Sequence, residues 1–187
     1  MAKLAPGDNA PDFQLPNLDG STVALAKTLK GGKGAAVLWL CNHCPYVVAY
    51  MGRLVQLAQE FPDIKFIGIN SNDAATYPDD APDKMPGFAA AHGITFPYLH
   101  DDSQDVARAY GVEKTPEIFL LNADGVCVYE GGVDDNWKEP DQVTERPLRD
   151  ALAALSAGKP IEKPQTLAMG CTVKWKEAKP TGGCCGG

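Results

Sequence analysis

Long apolar runs are largely missing from this sequence. No stretch of its 187 residues approaches the ~18 apolar residues that a transmembrane helix requires. The first residues, 1–8, hold no apolar run of signal-peptide length. We therefore expect a cytoplasmic protein with no membrane partner.

Basic charge is also scarce. The chain has 17 Lys and Arg against 24 Asp and Glu, a formal net charge of -7. Nucleic acids and anionic membranes attract proteins through a basic face, so we expect neither as the main partner. The chain is long enough to bury a core without metal or disulfide staples.

The six cysteines show neither a disulfide framework nor a second CxxC. They form one CxxC pair, two isolated residues and one adjacent pair: Cys41 and Cys44, Cys127 and Cys171, and Cys184 and Cys185. In a cytoplasmic chain this pattern favours catalysis or metal binding over structural disulfides.

The CxxC lies between elements of different periodicity. Residues 35–40 form a continuous apolar run, typical of a strand covered on both faces. From Pro45 the apolar residues recur every three or four positions, which predicts a helix, and residues 64–69 predict a second strand. This order of strand, CxxC, helix and strand is the parallel unit of a thioredoxin-like redox site.

Three further segments can be assigned. Residues 11–20 predict a β-hairpin near the N-terminus. Residues 70–86 form a polar insertion that leads into a helix near 87–92, and its acidic run, 79–83, predicts a solvated loop. We expect one domain over residues 1–179, followed by a flexible Gly- and Cys-rich tail at 180–187.

Cys41, His43 and Cys44 are the candidate catalytic residues. Dithiol exchange needs one thiolate that attacks and a second thiol that resolves the mixed disulfide. A helix N-terminus favours a thiolate, so the sequence predicts Cys41 as the exposed, more acidic nucleophile and Cys44, in the first turn, as the resolving thiol. A protonated His43 would stabilise the Cys41 thiolate further.

A metal-binding protein is the alternative from a different class. Thiolates of Cys41, Cys44 and the tail cysteines would suit Zn or Cu(I). The second ligand pair at zinc spacing is missing, however, so we expect no metal and no other cofactor at this site. The tail thiols could exchange with the CxxC, hold a soft metal ion or be inert.

A second motif carries a family resemblance. Residues 111–116, Gly-Val-Glu-Lys-Thr-Pro, precede an apolar strand and resemble the cis-proline loop of thioredoxin-fold proteins. The resemblance implies that Pro116 is cis, that Thr115 lines the site, and that the backbone before the proline binds substrate. From the sequence alone, Pro116 could equally be a trans proline at the start of a strand.

The resemblance extends to AhpC/TSA-type redoxins and the peroxiredoxin-like group of thioredoxin-family proteins. The similar segments are residues 7–13, 41–47, 68–73, 96–99 and 170–175. It implies a thioredoxin fold of the α/β class, with helices flanking a central mixed β-sheet, an N-terminal β-hairpin and a helical insertion. It also implies thiol–disulfide exchange with a disulfide-bearing protein or a small-molecule thiol, and an electron donor that the sequence does not identify.

The sequence departs from both better-known branches of this group. If Cys44 takes the peroxidatic position, Val37 and Cys41 stand where peroxiredoxins have Pro and Thr. The hydroxyl that would orient peroxide is absent, so we expect at most a weak thiol-dependent peroxidase. Leu40 and Ala35 replace the Trp and the buried Asp of thioredoxin, so the proton must be handled elsewhere.

The remaining candidates are single residues. Cys127 alternates with valines and predicts a core position, as does Trp39 on the strand before the CxxC. Cys171 follows a glycine in a segment, 159–179, that we expect to be mostly irregular. A redox role and a structural role are equally open for Cys171.

Overall fold

A computed structural model of the chain describes residues 2–177. The strands are β1 (Gln14–Pro16), β2 (Thr22–Ala24), β3 (Gly34–Leu40), β4 (Ile64–Asn70), β5 (Tyr98–His100), β6 (Lys114–Thr115), β7 (Glu117–Asn122), β8 (Cys127–Gly131) and β9 (Cys171–Thr172). The helices are α1 (Leu25–Thr28), α2 (Pro45–Glu60), α3 (Met85–His92), α4 (Asp105–Tyr110) and α5 (Pro147–Ser156), with 3₁₀ turns at Pro78–Asp80 and Pro140–Gln142.

The central sheet is mixed and has the strand order β5-β4-β3-β7-β8. β3 lies in its middle, parallel to β4 and antiparallel to β7. β4 and β5 are parallel, and β7 and β8 are antiparallel. This is the predicted thioredoxin fold, and β1 with β2 forms the predicted N-terminal hairpin.

Two hydrophobic layers cover the sheet, because side chains alternate between the faces of a strand. Ala36, Leu38 and Leu40 of β3 join the layer that contains α2 and α5. Trp39 joins the opposite layer, where its ring lies 4.7 Å from Tyr110 of α4 and 5.4 Å from Phe119 of β7. All seven residues of β3 are buried, which explains its unbroken apolar run.

The insertion between β4 and β5 contains the 3₁₀ turn Pro78–Asp80 and helix α3. The predicted helical insertion is therefore present. Its start is tied to the C-terminal segment: the backbone N–H of Asp73 donates to the Lys174 carbonyl at 2.8 Å. The N–H of Lys174 donates in turn to Oδ1 of Asn72 at 2.8 Å.

The C-terminal segment runs back across the domain to the thiols. It is mostly irregular, as predicted, but β9 pairs antiparallel with β6. Within residues 2–177 no helix has the length and apolar character needed to span a bilayer. The cytoplasmic location and the domain boundary at residue 179 stay predictions, and Cys184 and Cys185 lie outside the described residues.

Candidate functional site

The CxxC segment connects β3 to α2. Cys41 directly follows β3, and Cys44 is the N-cap residue of α2, with Pro45 as the first helical residue. Proline suits this position because the first N–H of a helix has no intrahelical partner. Both cysteines are free thiols with no exposed surface. The prediction of an exposed Cys41 is therefore wrong, and Cys44 precedes the helix instead of lying within its first turn.

The loop before β7 faces both thiols. The Thr115–Pro116 peptide bond is cis, as the resemblance implied. The Thr115 hydroxyl lies 3.3 Å from Sγ of Cys41, and the Cys44 thiol donates to the Thr115 carbonyl at 3.1 Å. Thr115, itself buried, thus holds the two cysteines through its side chain and its backbone.

The two thiols differ in acidity. The hydrogen bond from Cys41 lowers the pKa of Cys44 against the cost of burial, and the Val47 backbone and Cys171 lower it further. The same Cys41–Cys44 hydrogen bond, together with burial, raises the pKa of Cys41. The Thr115 carbonyl acts the other way, since it favours the protonated form of Cys44. The hydrogen bond from Cys41 and the N-terminus of a 16-residue helix outweigh this one carbonyl. Cys44 is thus the more acidic thiol, the reverse of the sequence prediction.

His43 is held beside the thiols by a buried carboxylate. Its Nδ1 lies 2.7 Å from Oδ2 of Asp80, whose side chain has no exposed surface. The ring N–H is not aligned for a hydrogen bond, so the contact is an ion pair when the imidazole is protonated. The His43 ring stacks on Tyr77, with centroids 5.4 Å apart. Ligand atoms of Cys41, His43 and Asp80 all lie within 4.8 Å of one another.

Asp80 also fixes the CxxC segment to the insertion. It accepts the backbone N–H of Asn42 at 2.6 Å and the side-chain amide of Asn72 at 2.8 Å. The Asn42 side chain donates to the Asp79 carbonyl at 2.8 Å. The predicted solvated loop is therefore correct for Asp79 and Asp83, which are exposed, and wrong for Asp80. Asp80 is buried because the 3₁₀ turn folds its side chain onto the thiol segment.

Two cysteines outside the CxxC have different surroundings. Cys127 is buried in the layer opposite the thiols, as predicted for a core residue. Burial raises the pKa of Cys127 to about 12, which keeps it a protonated thiol at neutral pH. Cys171 is half-buried and packs against the layer that contains Cys41 and Cys44. Cys171 lies next to Thr115 because β9 pairs with β6. Both strands have only two residues, which is too short for a periodic pattern in the sequence.

Comparison with known proteins assigns the family. The Redoxin family matches residues 5–148, which include both thiols, the insertion and the cis-proline loop. This chain belongs to the Redoxin family. Solved thiol–disulfide oxidoreductases of low sequence identity share its thioredoxin fold.

Relatives of this redoxin include a putative peroxiredoxin, a thiol-disulfide oxidoreductase and a solved structure. A putative peroxiredoxin of Mycobacterium tuberculosis is 28% identical over 136 residues, covering 73% of this chain and 82% of the relative. The thiol-disulfide oxidoreductase ResA of Bacillus anthracis is 30% identical over 128 residues, covering 67% and 69%. A crystal structure of an uncharacterized conserved protein from Geobacillus kaustophilus superposes with a TM-score of 0.87. It is 37% identical and covers 94% of this chain and 95% of its own.

Proposed function

We propose that this redoxin performs thiol–disulfide exchange with Cys41 and Cys44 as its redox couple. The observation that carries the proposal is the joint contact of both thiols with Thr115, at the N-terminus of a helix and beside a cis proline. The class of activity, a thioredoxin-like thiol–disulfide oxidoreductase, agrees with the names of its relatives. The use of this particular cysteine pair is our proposal.

Cys44 is the attacking thiol in this mechanism. Its thiolate attacks one sulfur of a substrate disulfide, and the other sulfur leaves as a thiolate that takes up a proton. Cys41 then loses its proton and attacks Sγ of Cys44, which releases the second substrate thiol. The product is a Cys41–Cys44 disulfide and a substrate reduced by two electrons. A dithiol or two thiols from a donor return the pair to its reduced form by the reverse exchange.

His43 and Asp80 handle the proton of Cys41. The resolving step needs a proton acceptor beside Cys41, whose buried thiol is the weaker acid of the two. Asp80, and His43 in its neutral form, both place an acceptor atom within 4.8 Å of Cys41 Sγ. His43 lies on the CxxC segment and Asp80 on the insertion. They can therefore act as the base although Ala35 stands where thioredoxin has its buried Asp.

The proposed roles of Thr115 and Pro116 in substrate binding need one adjustment. The family resemblance implies that a substrate binds to the backbone edge before Pro116. Here that edge is covered, because Thr115 pairs with Cys171 of β9. A substrate that binds this edge must therefore displace the short strand β9.

The first expected result concerns the pH at which a thiolate forms. The reduced protein should hold one thiolate well below the ordinary thiol pKa of ~8.5, because its contacts lower the pKa of Cys44. Because the pKa of Cys44 is lower in the folded than in the unfolded protein, its ionisation stabilises the reduced fold. This stabilisation is complete at a pH above the unfolded-state pKa and is lost as the pH falls through the folded-state pKa. Titration of thiolate ultraviolet absorbance measures the midpoint. Cys44→Ser should remove the transition and Cys127→Ser should leave it; a transition seen only above ~8.5 contradicts the assignment.

A second expected result concerns His43. A protonated imidazole beside the pair favours the thiolate and thereby the reduced form. His43→Gln should therefore raise the thiolate pKa and lower the reduction potential, by roughly 30 mV for a tenfold change in the equilibrium. Titration against glutathione measures the potential. His92→Gln, at the end of α3 where the ring contacts Phe88, is the control. Equal potentials for both variants would leave His43 without a role.

Metal binding is the second candidate function, favoured by the Cys41, His43 and Asp80 cluster. Sulfur, imidazole nitrogen and carboxylate oxygen together form a donor set that suits Zn²⁺. Elemental analysis of protein purified under reducing conditions separates the two candidates. Stoichiometric zinc that Cys41→Ser abolishes would support the metal site, whereas metal-free protein that reduces disulfides supports the exchange mechanism.

A further inference from the structure

Cys171 reaches the thiols by a backbone pairing that places it where a substrate would lie. In the register of β6 and β9, Thr115 is opposite Cys171 and Lys114 is opposite Thr172. The Val173 N–H donates to the Glu113 carbonyl at 3.1 Å and extends the pairing by one position. The segment 171–173 therefore occupies the backbone edge beside the cis proline.

Cys171 packs against the buried layer that contains both thiols of the CxxC. The Cys171 thiol and its backbone N–H both lower the pKa of Cys44 and so favour its thiolate. Cys44 in turn donates to the carbonyl of Thr115, the residue opposite Cys171. Cys41 and Cys44 on the CxxC segment and Cys171 on β9 thus all meet at Thr115.

Gly170 makes this approach possible. A Cβ at this position would lie 2.3 Å from the Thr115 carbonyl oxygen and 3.1 Å from the Pro116 nitrogen. Those atoms are backbone and cannot rotate away, so any larger residue would push β9 off the loop. β9 can therefore contact Thr115 only because the residue before it, Gly170, has no side chain.

We propose that Cys171 is a second resolving thiol for Cys44, presented by β9 in the position of a substrate cysteine. This inference rests on the proposed function. It adds a Cys44–Cys171 disulfide as an alternative to the Cys41–Cys44 disulfide. It also implies that β9 competes with external substrates for the backbone of Thr115.

The exchange between the two states involves no net oxidation. The Cys171 thiol loses its proton and attacks Sγ of Cys44 in the Cys41–Cys44 disulfide. The S–S bond between Cys41 and Cys44 breaks, the bond between Cys44 and Cys171 forms, and Cys41 leaves as a thiolate that takes up a proton. Resolution of a substrate mixed disulfide on Cys44 by Cys171 proceeds in the same way and releases the substrate thiol.

The half-buried position of Cys171 gives the alternative state a function. Cys41 is fully buried, whereas Cys171 retains exposed surface through which an electron donor could reach a disulfide. Burial and the neighbouring Cys44 raise the pKa of Cys171 to about 11, so it stays protonated while Cys44 is reduced. Two nearby lysines, Lys174 and Lys114, oppose this shift. Disulfide formation at Cys44 removes the charge that opposes ionisation of Cys171.

The test traps Cys44 with glutathione disulfide when Cys41 is absent. All proteins carry Cys184→Ser and Cys185→Ser, so that the tail thiols cannot take part. In Cys41→Ser we expect the glutathione adduct on Cys44 to be resolved at least about tenfold faster than in Cys41→Ser with Cys171→Ser, because a contacting thiol has a high effective concentration. Peptide mass mapping should show a Cys44–Cys171 disulfide in the first protein. Equal adduct lifetimes and no such peptide would overturn the inference.

Gly170→Ala leaves Cys44 and Cys171 in place and tests the same point through the backbone. In the Cys41→Ser background it should slow resolution of the adduct to the rate of the Cys171→Ser protein. Gly52→Ala is the matched control, since a Cβ on that helical glycine meets no atom within 4 Å. Gly170→Ala resolving as fast as Gly52→Ala would contradict the role of β9. Failure of the proposed function is distinguishable, because Cys44 would then form no glutathione adduct in any variant.

Discussion

Cys44→Ser should reduce no disulfide substrate at a rate above background, a loss of about 1,000-fold or more. A serine hydroxyl stays protonated at neutral pH and cannot replace the thiolate that the helix N-terminus, Cys41 and Cys171 favour at this position. Reduction of insulin disulfides, followed by turbidity with a dithiol donor, measures the rate. The effect is large because Sγ of Cys44 is the atom that forms the bond to the substrate.

Two further variants show whether the loss is specific. Cys127→Ser changes a thiol in the opposite core layer and should retain the wild-type rate if the protein remains folded. Cys41→Ser should accumulate mixed disulfides on Cys44, most persistently when Cys171 is also replaced. Mixed disulfides that accumulate on Cys41 in Cys44→Ser, together with no mixed disulfide and no reduction in Cys41→Ser, would mean that Cys41 attacks first, as the sequence alone predicts.

Asp80→Ala should impair both stability and turnover. The buried carboxylate accepts the Asn42 N–H and the Asn72 amide, and a buried donor without a partner costs about 1–3 kcal/mol. The free energy of unfolding, measured with urea on the reduced protein, should fall by at least this amount. The rate of disulfide reduction should fall about 100-fold, since the His43–Asp80 pair handles the Cys41 proton.

Asp80→Asn separates these two effects. The amide keeps the shape and one acceptor oxygen of Asp80, which can still accept the Asn42 N–H, so the loss of stability should be smaller than in Asp80→Ala while the rate stays low. Asp79→Asn is the matched control, because the neighbouring side chain is exposed and only its backbone carbonyl contacts Asn42. Wild-type turnover in folded Asp80→Asn would limit Asp80 to a structural role.

The fold was predictable because its central unit has strong local signals. The apolar run of β3, the proline that starts α2 and the three- and four-residue spacing of the helix are all visible in sequence. The CxxC between them has only one place to lie, the junction of strand and helix. The cis Pro116 is also present, but it was implied by family resemblance and not by the spacing of residues.

The features of the site that the sequence did not yield are long-range. Asp80 lies in an acidic run that is typical of a solvated loop, and only the folded 3₁₀ turn directs this one carboxylate onto Asn42. The antiparallel pairing of β9 with β6 joins residues that are more than fifty positions apart through strands of two residues. Neither feature has a periodicity that a local pattern could reveal. The acidity of Cys44 over Cys41 follows chiefly from the hydrogen bond between the two thiols, a contact that forms only in the folded site.

The most direct test of the Cys41–Cys44 couple is a redox titration with peptide mapping. The wild-type and Cys171→Ser proteins are equilibrated in buffers of defined dithiol-to-disulfide ratio, and free thiols are then blocked by alkylation. We expect Cys41 and Cys44 of Cys171→Ser to lose alkylation together, in one two-electron transition, and to appear as a disulfide-linked peptide. The account would be contradicted if Cys41 and Cys44 stayed fully alkylated at every dithiol-to-disulfide ratio at which the protein reduces disulfides.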